Sequence, residues 1–128
     1  MTIRDKDAFM RGLWDWKVLD GCFGDTHIRP MDVDGLIERR RHFLFLEAKP
    51  AGGTLTKGQE ITLTELSLQP RTCCVVFYGD PQEETVERIT VFTRGEARDQ
   101  ADASLDGLRT FVSLWYAWAD GQRVAADA

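Results

Sequence analysis

The segment Pro-Met-Asp-Val-Asp-Gly (residues 30–35) is followed by the apolar run Phe-Leu-Phe-Leu-Glu-Ala-Lys (residues 43–49). The run is apolar on both faces at its start, as in a central strand covered on both sides. It nevertheless ends in a carboxylate and an ammonium, and burying either charge without a partner is costly. The pattern therefore predicts that Asp34, Glu47 and Lys49 lie together, and a metal-dependent phosphodiester-cleaving site would explain their placement.

Phosphodiester hydrolysis requires a nucleophilic water at neutral pH and positive charge to offset the negative charge that grows on phosphorus. A divalent metal provides both, and Mg²⁺ needs only one or two carboxylates because it keeps several waters. Residues two apart in a strand face the same side, about 6.6 Å apart along the axis, so Glu47 and Lys49 are expected to point the same way. The backbone carbonyl of Ala48 is then available as a third metal oxygen. Lys49 would orient or deprotonate water, or stabilise the transition state by charge.

The arrangement resembles the PD-(D/E)XK nuclease superfamily, which includes restriction enzymes, archaeal Holliday-junction resolvases and virus-type replication-repair nucleases. The match covers about residues 30–59. Asp34 takes the place of the first aspartate, and Glu47-Ala48-Lys49 stands as the E-x-K, with Glu47 thirteen positions after Asp34. Gln59 falls where small resolvase-like members carry a polar active-site residue. The pattern of Asp-Val-Asp-Gly followed by a hairpin and Glu-x-Lys looks especially similar to small nuclease-like proteins encoded by bacteriophages.

The resemblance implies a restriction-endonuclease-like αβββαβ core, with a mixed central sheet flanked by helices. It also implies a metal-dependent DNA endonuclease in which Asp34, Glu47 and the Ala48 carbonyl bind one or two Mg²⁺ or Mn²⁺ ions, while Lys49 and Gln59 complete the catalytic set. Structure-directed cutting of a junction, flap or repair intermediate is expected, because 128 residues leave little room for a separate specificity domain. The alternative is a catalytically inactive nuclease-like module that binds DNA or a protein partner.

Periodicity and turn residues predict a mixed α/β sandwich in three layers. A capping box, with Thr56 as N-cap and Gln59 at N3, predicts a helix that runs toward Pro70, although Ile61 to Thr64 also alternates like a strand. In the run from Val86 to Thr93, alternation places one set of residues (Val86, Arg88, Thr90) on the face opposite the other (Glu87, Ile89, Val91). The other expected elements are a short first helix that starts at Thr2-x-x-Asp5, strands at His27–Arg29, Gly35–Arg39, Phe43–Lys49 and Arg71–Tyr78, a tight turn at Arg40–His42, and a helix over Ser104–Ala119.

The motif departs from the family pattern, and several roles stay open. Pro30 lies four residues before Asp34 instead of directly before it. Asp32 could share the metal or replace Asp34 as ligand, and either aspartate could simply form the turn, since Asp-Gly favours tight turns. Many members carry an acidic residue on the first helix, and three residues are open for that role: Asp7, Asp15 and Asp20. Glu47 and Lys49 could form a structural ion pair, and Gln59 could only cap its helix. A calcium loop at Asp-x-Asp-Gly lacks its terminal acid, because Glu38 comes too soon.

Length and composition predict one globular domain spanning residues 1–128, with 43% hydrophobic residues. No leader-like or membrane-spanning apolar stretch is evident, so no membrane contact is expected. The expected location is the cytoplasm, or the host cytoplasm if the chain is phage-encoded. Three cysteines, an odd number, favour reduced and mostly buried thiols over a disulfide framework.

The charge is unevenly distributed. The net charge of −5 arises entirely after Arg71, since residues 1–71 hold 11 basic and 11 acidic side chains. A basic cluster at Arg39–His42, with Lys49, Lys57 and Arg71, is compatible with DNA contact, although a solvated hairpin turn explains Arg39–His42 equally. Trp14 and Trp16 are the tryptophans most open to base stacking.

The last helix adds an expectation about assembly. Its apolar ridge at Leu114 and Trp118 could form the interface of a homodimer, which a symmetric junction resolvase would require.

Overall fold

A computed structural model describes residues 6–124. The chain divides into two compact units, one up to Asp32 and one from Val33 onward. The first unit holds helix α1 (Lys6–Arg11) and a short 3-10 helix (Trp16–Leu19). The predicted helix start at Thr2-x-x-Asp5 lies outside the described residues, and the single 128-residue domain stays a prediction.

The second unit is built on a five-stranded mixed sheet. Strands β1 (Gly35–Arg39), β2 (His42–Pro50), β3 (Thr72–Asp80), β4 (Thr85–Thr93) and β5 (Glu96–Asp99) lie side by side in chain order. All neighbours are antiparallel except β2 and β3. A parallel pair needs a crossover connection, and helix α2 (Lys57–Ser67) supplies it. Helix α3 (Leu105–Asp120) follows the sheet.

Each face of the sheet packs against one helix. Leu44 and Val75 pack with Trp115 and Ala119 of α3 in one buried cluster. Residues of opposite parity on β3, including Cys74 and Val76, pack with Leu63 of α2 in another cluster. Because successive strand residues face opposite sides, β2 and β3 contribute to both cores. This confirms the prediction of an α/β architecture in three layers.

Both long helices begin with a side-chain cap, and the sequence predicted the one on α2. The Thr56 side chain accepts from the Gln59 backbone N–H at 3.1 Å, and Ser104 caps α3 in the same way through the Gly107 N–H at 3.0 Å. The predicted capping box at the start of α2 is present in full. The strand-like alternation at Ile61 to Thr64 is therefore overridden by the cap and by packing of Leu63 against the sheet.

Two strand predictions are wrong. Residues 27–29 are not a strand, because they lie in the first unit, where the described residues offer no strand to pair with. The sequence also missed β5, whose residues are all exposed and lack apolar alternation. A tight turn explains β5, since Arg94 and Gly95 both have positive φ (52° and 80°) and fold it back onto β4. Two strands instead of three therefore precede α2 in the described part of the chain.

Because of a bulge in β4, the predicted face of Val86 is wrong. Tyr78 pairs with Arg88, but Gly79 pairs with Val86, so Glu87 has no opposite residue. The extra residue moves Val86 to the same face as Ile89, where both join the α3 core. Simple alternation could not predict this, because the bulge depends on how β3 and β4 pair.

The three cysteines differ in exposure. Cys22 is exposed, Cys73 is partly buried and Cys74 is fully buried, and all three are free thiols. Burial raises the pKa of Cys73 to about 11 and that of Cys74 to about 12. The prediction of mostly buried thiols therefore fails for Cys22.

We expect one thiol to react quickly in the native protein. Thiolates are the reactive form, so the exposed Cys22 will be modified by an aromatic disulfide reagent at pH 8, while Cys73 and Cys74 will react only as the sheet opens. Absorbance should show one equivalent in buffer and three in denaturant. Fast release of two or more equivalents from folded protein would contradict this assignment, and a Cys22→Ser variant identifies the reactive thiol.

No helix among the described residues is both long enough and apolar enough to cross a membrane.

Candidate functional site

Glu47 and Lys49 lie at the carboxyl end of β2, on the face that packs against α2. Their side chains are only 16% and 17% exposed, and Lys49 Nζ lies 3.8 Å from Glu47 Oε1. The two charges therefore face the same way, as strand parity predicts. Partial burial makes this pair more significant than the chain's exposed ion pairs, which contribute little.

Gln59 brings the start of α2 to the same point. Its Oε1 accepts a hydrogen bond from Lys49 Nζ at 2.8 Å and another from the Thr56 backbone N–H at 3.0 Å. The same oxygen therefore completes the capping box and holds the lysine. The two roles left open for Gln59 in the sequence coexist, since an amide oxygen can accept two hydrogen bonds.

Asp34 joins this strand end from β1. Gly35 pairs with Leu46, and extending that antiparallel register by one residue sets Asp34 opposite Glu47, on the same face of the sheet. Asp34 Oδ2 accepts a hydrogen bond from the Ala48 backbone N–H at 2.8 Å. The aspartate is exposed, and it immediately precedes the first residue of β1. Its carboxylate therefore bonds to β2 at a point that β1 does not cover.

The carbonyl of Ala48 lies on the same edge of β2 as Asp34. The N–H groups of Phe43 and Ala51 point toward β3, where they donate to Arg71 and Gly79. Backbone direction alternates along a strand, and the N–H and C=O of one residue share an edge. Because the Ala48 N–H points to Asp34, its C=O also faces that edge. Two carboxylates and one backbone oxygen are thus brought to one strand end.

The basic cluster at Arg39–His42 lies away from this strand end. His42 begins β2 and Lys49 lies seven residues further on, about 23 Å along the strand. Arg39 forms an ion pair with Asp120 of α3, and Arg40 lies 3.8 Å from the same carboxylate. The cluster therefore lies away from Glu47, whereas the Lys49 ammonium lies 3.8 Å from its carboxylate.

Three of the four acids considered for the site from the first unit have partners within that unit. Asp32 Oδ1 accepts from the Trp16 indole N–H at 3.1 Å. Asp15 caps the 3-10 helix through the Lys17 N–H, and Asp20 lies 3.5 Å from Arg29. Asp7 lies in the first turn of α1. These contacts give three of the four acids a local structural role.

The donor set fits a hard divalent cation in chemistry. Among residues 6–124, no three His, Cys, Asp or Glu side chains come together as a metal site. Mg²⁺ does not need three, because it retains several waters and accepts carboxylate and carbonyl oxygens. Asp34, Glu47 and the Ala48 carbonyl are that kind of donor.

The sequence did not predict one hydrogen bond, which holds the loop that follows the site on β2. Glu87, the bulge residue of β4, accepts a hydrogen bond from the Gly52 N–H at 2.7 Å. This bond fixes the loop that leads from β2 to the α2 cap. Its signal is the β3–β4 bulge, which the sequence alone does not reveal.

Comparison of the chain with protein-family models, with curated proteins and with solved structures gave no match. The side chains gathered at the end of β2 are therefore the evidence for an activity.

Proposed function

We propose that the protein is a metal-dependent DNA endonuclease of the PD-(D/E)XK type. The observation that carries the proposal is the position of Lys49, whose ammonium lies between the Glu47 carboxylate and the Gln59 amide. A half-buried lysine held beside an acidic strand end suits phosphodiester hydrolysis, because positive charge must be placed where negative charge develops. The parallel β2–β3 pair joined through α2 is compatible with the end of the expected αβββαβ core, which has a third strand before this helix.

Asp34, Glu47 and the Ala48 carbonyl would hold Mg²⁺ or Mn²⁺. When bound, the cation would supply Lewis-acid charge and lower the pKa of a water toward neutrality. Lys49 stabilises the negative charge that grows on the phosphate, and it orients the attacking water. Gln59 keeps Lys49 in place through the 2.8 Å hydrogen bond.

The charge balance of the site suggests how Lys49 becomes available. Without ligands, its ammonium offsets the nearby Glu47 carboxylate at 3.8 Å. If Glu47 held the metal ion, Lys49 would keep its hydrogen bond to Gln59 and would direct its remaining N–H donors toward a phosphate oxygen. The proposed substrate is a branched DNA, such as a junction, a flap or a recombination intermediate.

An inactive module remains the second candidate, and a specific observation favours it. Asp34 Oδ2 is occupied by the Ala48 N–H, and Glu47 is paired with Lys49. Both charges are thus satisfied without a metal, as in a structural strand end. Such a module would bind DNA or a protein partner without cutting.

One assay separates the two candidates. The protein is incubated with linear, nicked, flapped and four-way DNA, and with matched RNA, in Mg²⁺, in Mn²⁺ and in EDTA. The endonuclease cuts a branched DNA in either metal and nothing in EDTA. Absence of cutting on every substrate, together with no Mn²⁺ heat by titration calorimetry, would exclude the enzyme and leave the binding module.

Gln59 offers a test of positioning with a matched control. Gln59→Leu and Thr56→Ala both break the capping box, so each should lower the free energy of unfolding by about 1 kcal/mol. Only Gln59→Leu also releases Lys49, so only this variant should lower kcat, by about tenfold, with KM little changed. Denaturant melts and steady-state cleavage give both values. Equal kcat losses in the two variants would mean that Gln59 serves the helix alone.

A further inference from the structure

Four arginines occupy strained turn positions at one end of the sheet. Arg40 and Arg41 connect β1 to β2, Arg71 precedes β3, and Arg94 connects β4 to β5; their φ angles are 49°, 66°, 59° and 52°. Glycine or asparagine is favoured in the left-handed region, since a Cβ is disfavoured there. Arg71 Nε donates a hydrogen bond to the Arg41 carbonyl oxygen at 2.9 Å, which fixes its guanidinium group at this end of the sheet.

A groove of about 970 Å³ opens at this end, on the α3 face. Arg71, Arg94 and Arg98 line it together with Leu114 and Trp118, whose side chains are 66% and 54% exposed. The lining residues include one carboxylate, Glu96, which pairs with Arg98 at 2.9 Å in an exposed contact. The groove is therefore basic in a chain whose net charge is −5.

The indole of Trp118 is held in place. His42 meets it edge-to-face, with ring centroids 5.0 Å apart and an interplanar angle of 86°. The imidazole is itself buried, and its Nδ1 lies 2.9 Å from the Arg40 carbonyl oxygen. A fixed and half-exposed aromatic ring beside guanidinium groups provides both a stacking surface and phosphate contacts.

We propose that this groove binds single-stranded nucleic acid. Arg71, Arg94 and Arg98 contact successive phosphates, and a base stacks on Trp118. Charge complementarity selects a polyanion over a second copy of the chain, because a two-fold contact would set the same arginines against each other. The exposed indole selects a polyanion that carries aromatic bases over an acidic peptide.

This binding surface is separate from the end of β2. Thr72 begins β3 at the groove, and Tyr78, six residues later, pairs with Lys49, which places the two regions about 20 Å apart along the strands. They also use opposite faces, since Lys49 faces α2 and the groove faces α3. The proposal therefore stands or falls independently of cleavage.

The test measures binding without metal, in a Lys49→Met background and in EDTA. Fluorescence anisotropy with a labelled 20-nucleotide thymidine strand should give tighter binding than the same length of duplex. The single-strand complex should show a salt slope of about −2, since each neutralised phosphate contributes roughly −0.7. Binding should also quench tryptophan emission, and a Trp118→Phe variant should remove most of that quenching.

Arg94→Asn is the decisive variant, because Asn-Gly suits the type of turn that residues 94 and 95 form. The fold should be at least as stable, while affinity falls about tenfold and the salt slope becomes shallower. Arg109→Ala is the matched control, an exposed arginine of α3 outside the groove. Equal losses in Arg94→Asn and Arg109→Ala, equal binding of duplex, or equal competition by polyglutamate of matched charge would each overturn the proposal.

Discussion

Lys49→Met is expected to lower the rate of DNA cleavage by about 100- to 1,000-fold, while Mn²⁺ affinity stays the same or increases. The rate falls because a preorganised charge that meets the developing negative charge is worth that much in related situations. The metal affinity does not fall, because the lost ammonium lies 3.8 Å from a carboxylate of the donor set and opposes a cation there. Single-turnover cleavage and titration calorimetry measure the two effects separately.

Glu47→Gln should behave differently from Lys49→Met. It removes a charged donor, so both Mn²⁺ binding and cleavage should fall, each by at least tenfold. Two substitutions of exposed α2 residues serve as matched controls, Glu60→Gln for the acid and Lys57→Met for the base, and neither should change kcat. If Lys49→Met weakened metal binding as much as Glu47→Gln, the division of roles between donor and charge stabiliser would be wrong.

Leu44→Ala is expected to lower the free energy of unfolding by about 3 kcal/mol, within the range of 2–5 kcal/mol for buried leucines. Leu44 is fully buried near the start of β2, where it packs with Val75 and with α3. Truncation leaves a cavity that the parallel β2–β3 pair cannot close by shifting, since both strands are paired on each side. Urea unfolding followed by tryptophan fluorescence measures the loss.

Leu114→Ala is the matched control for the core substitution. Its side chain is 66% exposed, so the expected change lies within about 0.5 kcal/mol. The comparison also tests the predicted dimer ridge. A large loss that varies with protein concentration would show that Leu114 is covered in a homodimer.

The local elements were predictable wherever neighbouring residues decide them. Thr56 and Gln59 fix the start of α2 through a cap that lies within four residues, and strand parity alone puts Glu47 and Lys49 on one face. The first of these predictions depends on local hydrogen bonding, the second on the period of a strand. Neither needs knowledge of distant contacts.

The missed features all depend on how one strand pairs with its neighbour. The β3–β4 bulge that moves Val86 into the α3 core cannot be read from alternation, and β5 exists because a turn returns it to β4. The bond from Asp34 to Ala48 requires the β1–β2 register. Residues 27–29 do not form a strand because residues 6–32, the described part of the first unit, contain no strand to pair with.

Gln59 Oε1 accepts hydrogen bonds from both the Thr56 N–H and Lys49 Nζ. Fraying at the start of α2 therefore changes the contacts of Lys49. A capped first turn is among the first parts of a helix to open locally, and each opening that moves Gln59 also withdraws the acceptor of Lys49. The Gln59 amide hydrogen, bonded to Thr56 Oγ1, should therefore exchange with solvent at a rate that reports how often the lysine is released. Heating should then separate Lys49 from Gln59 well below the temperature at which the sheet melts.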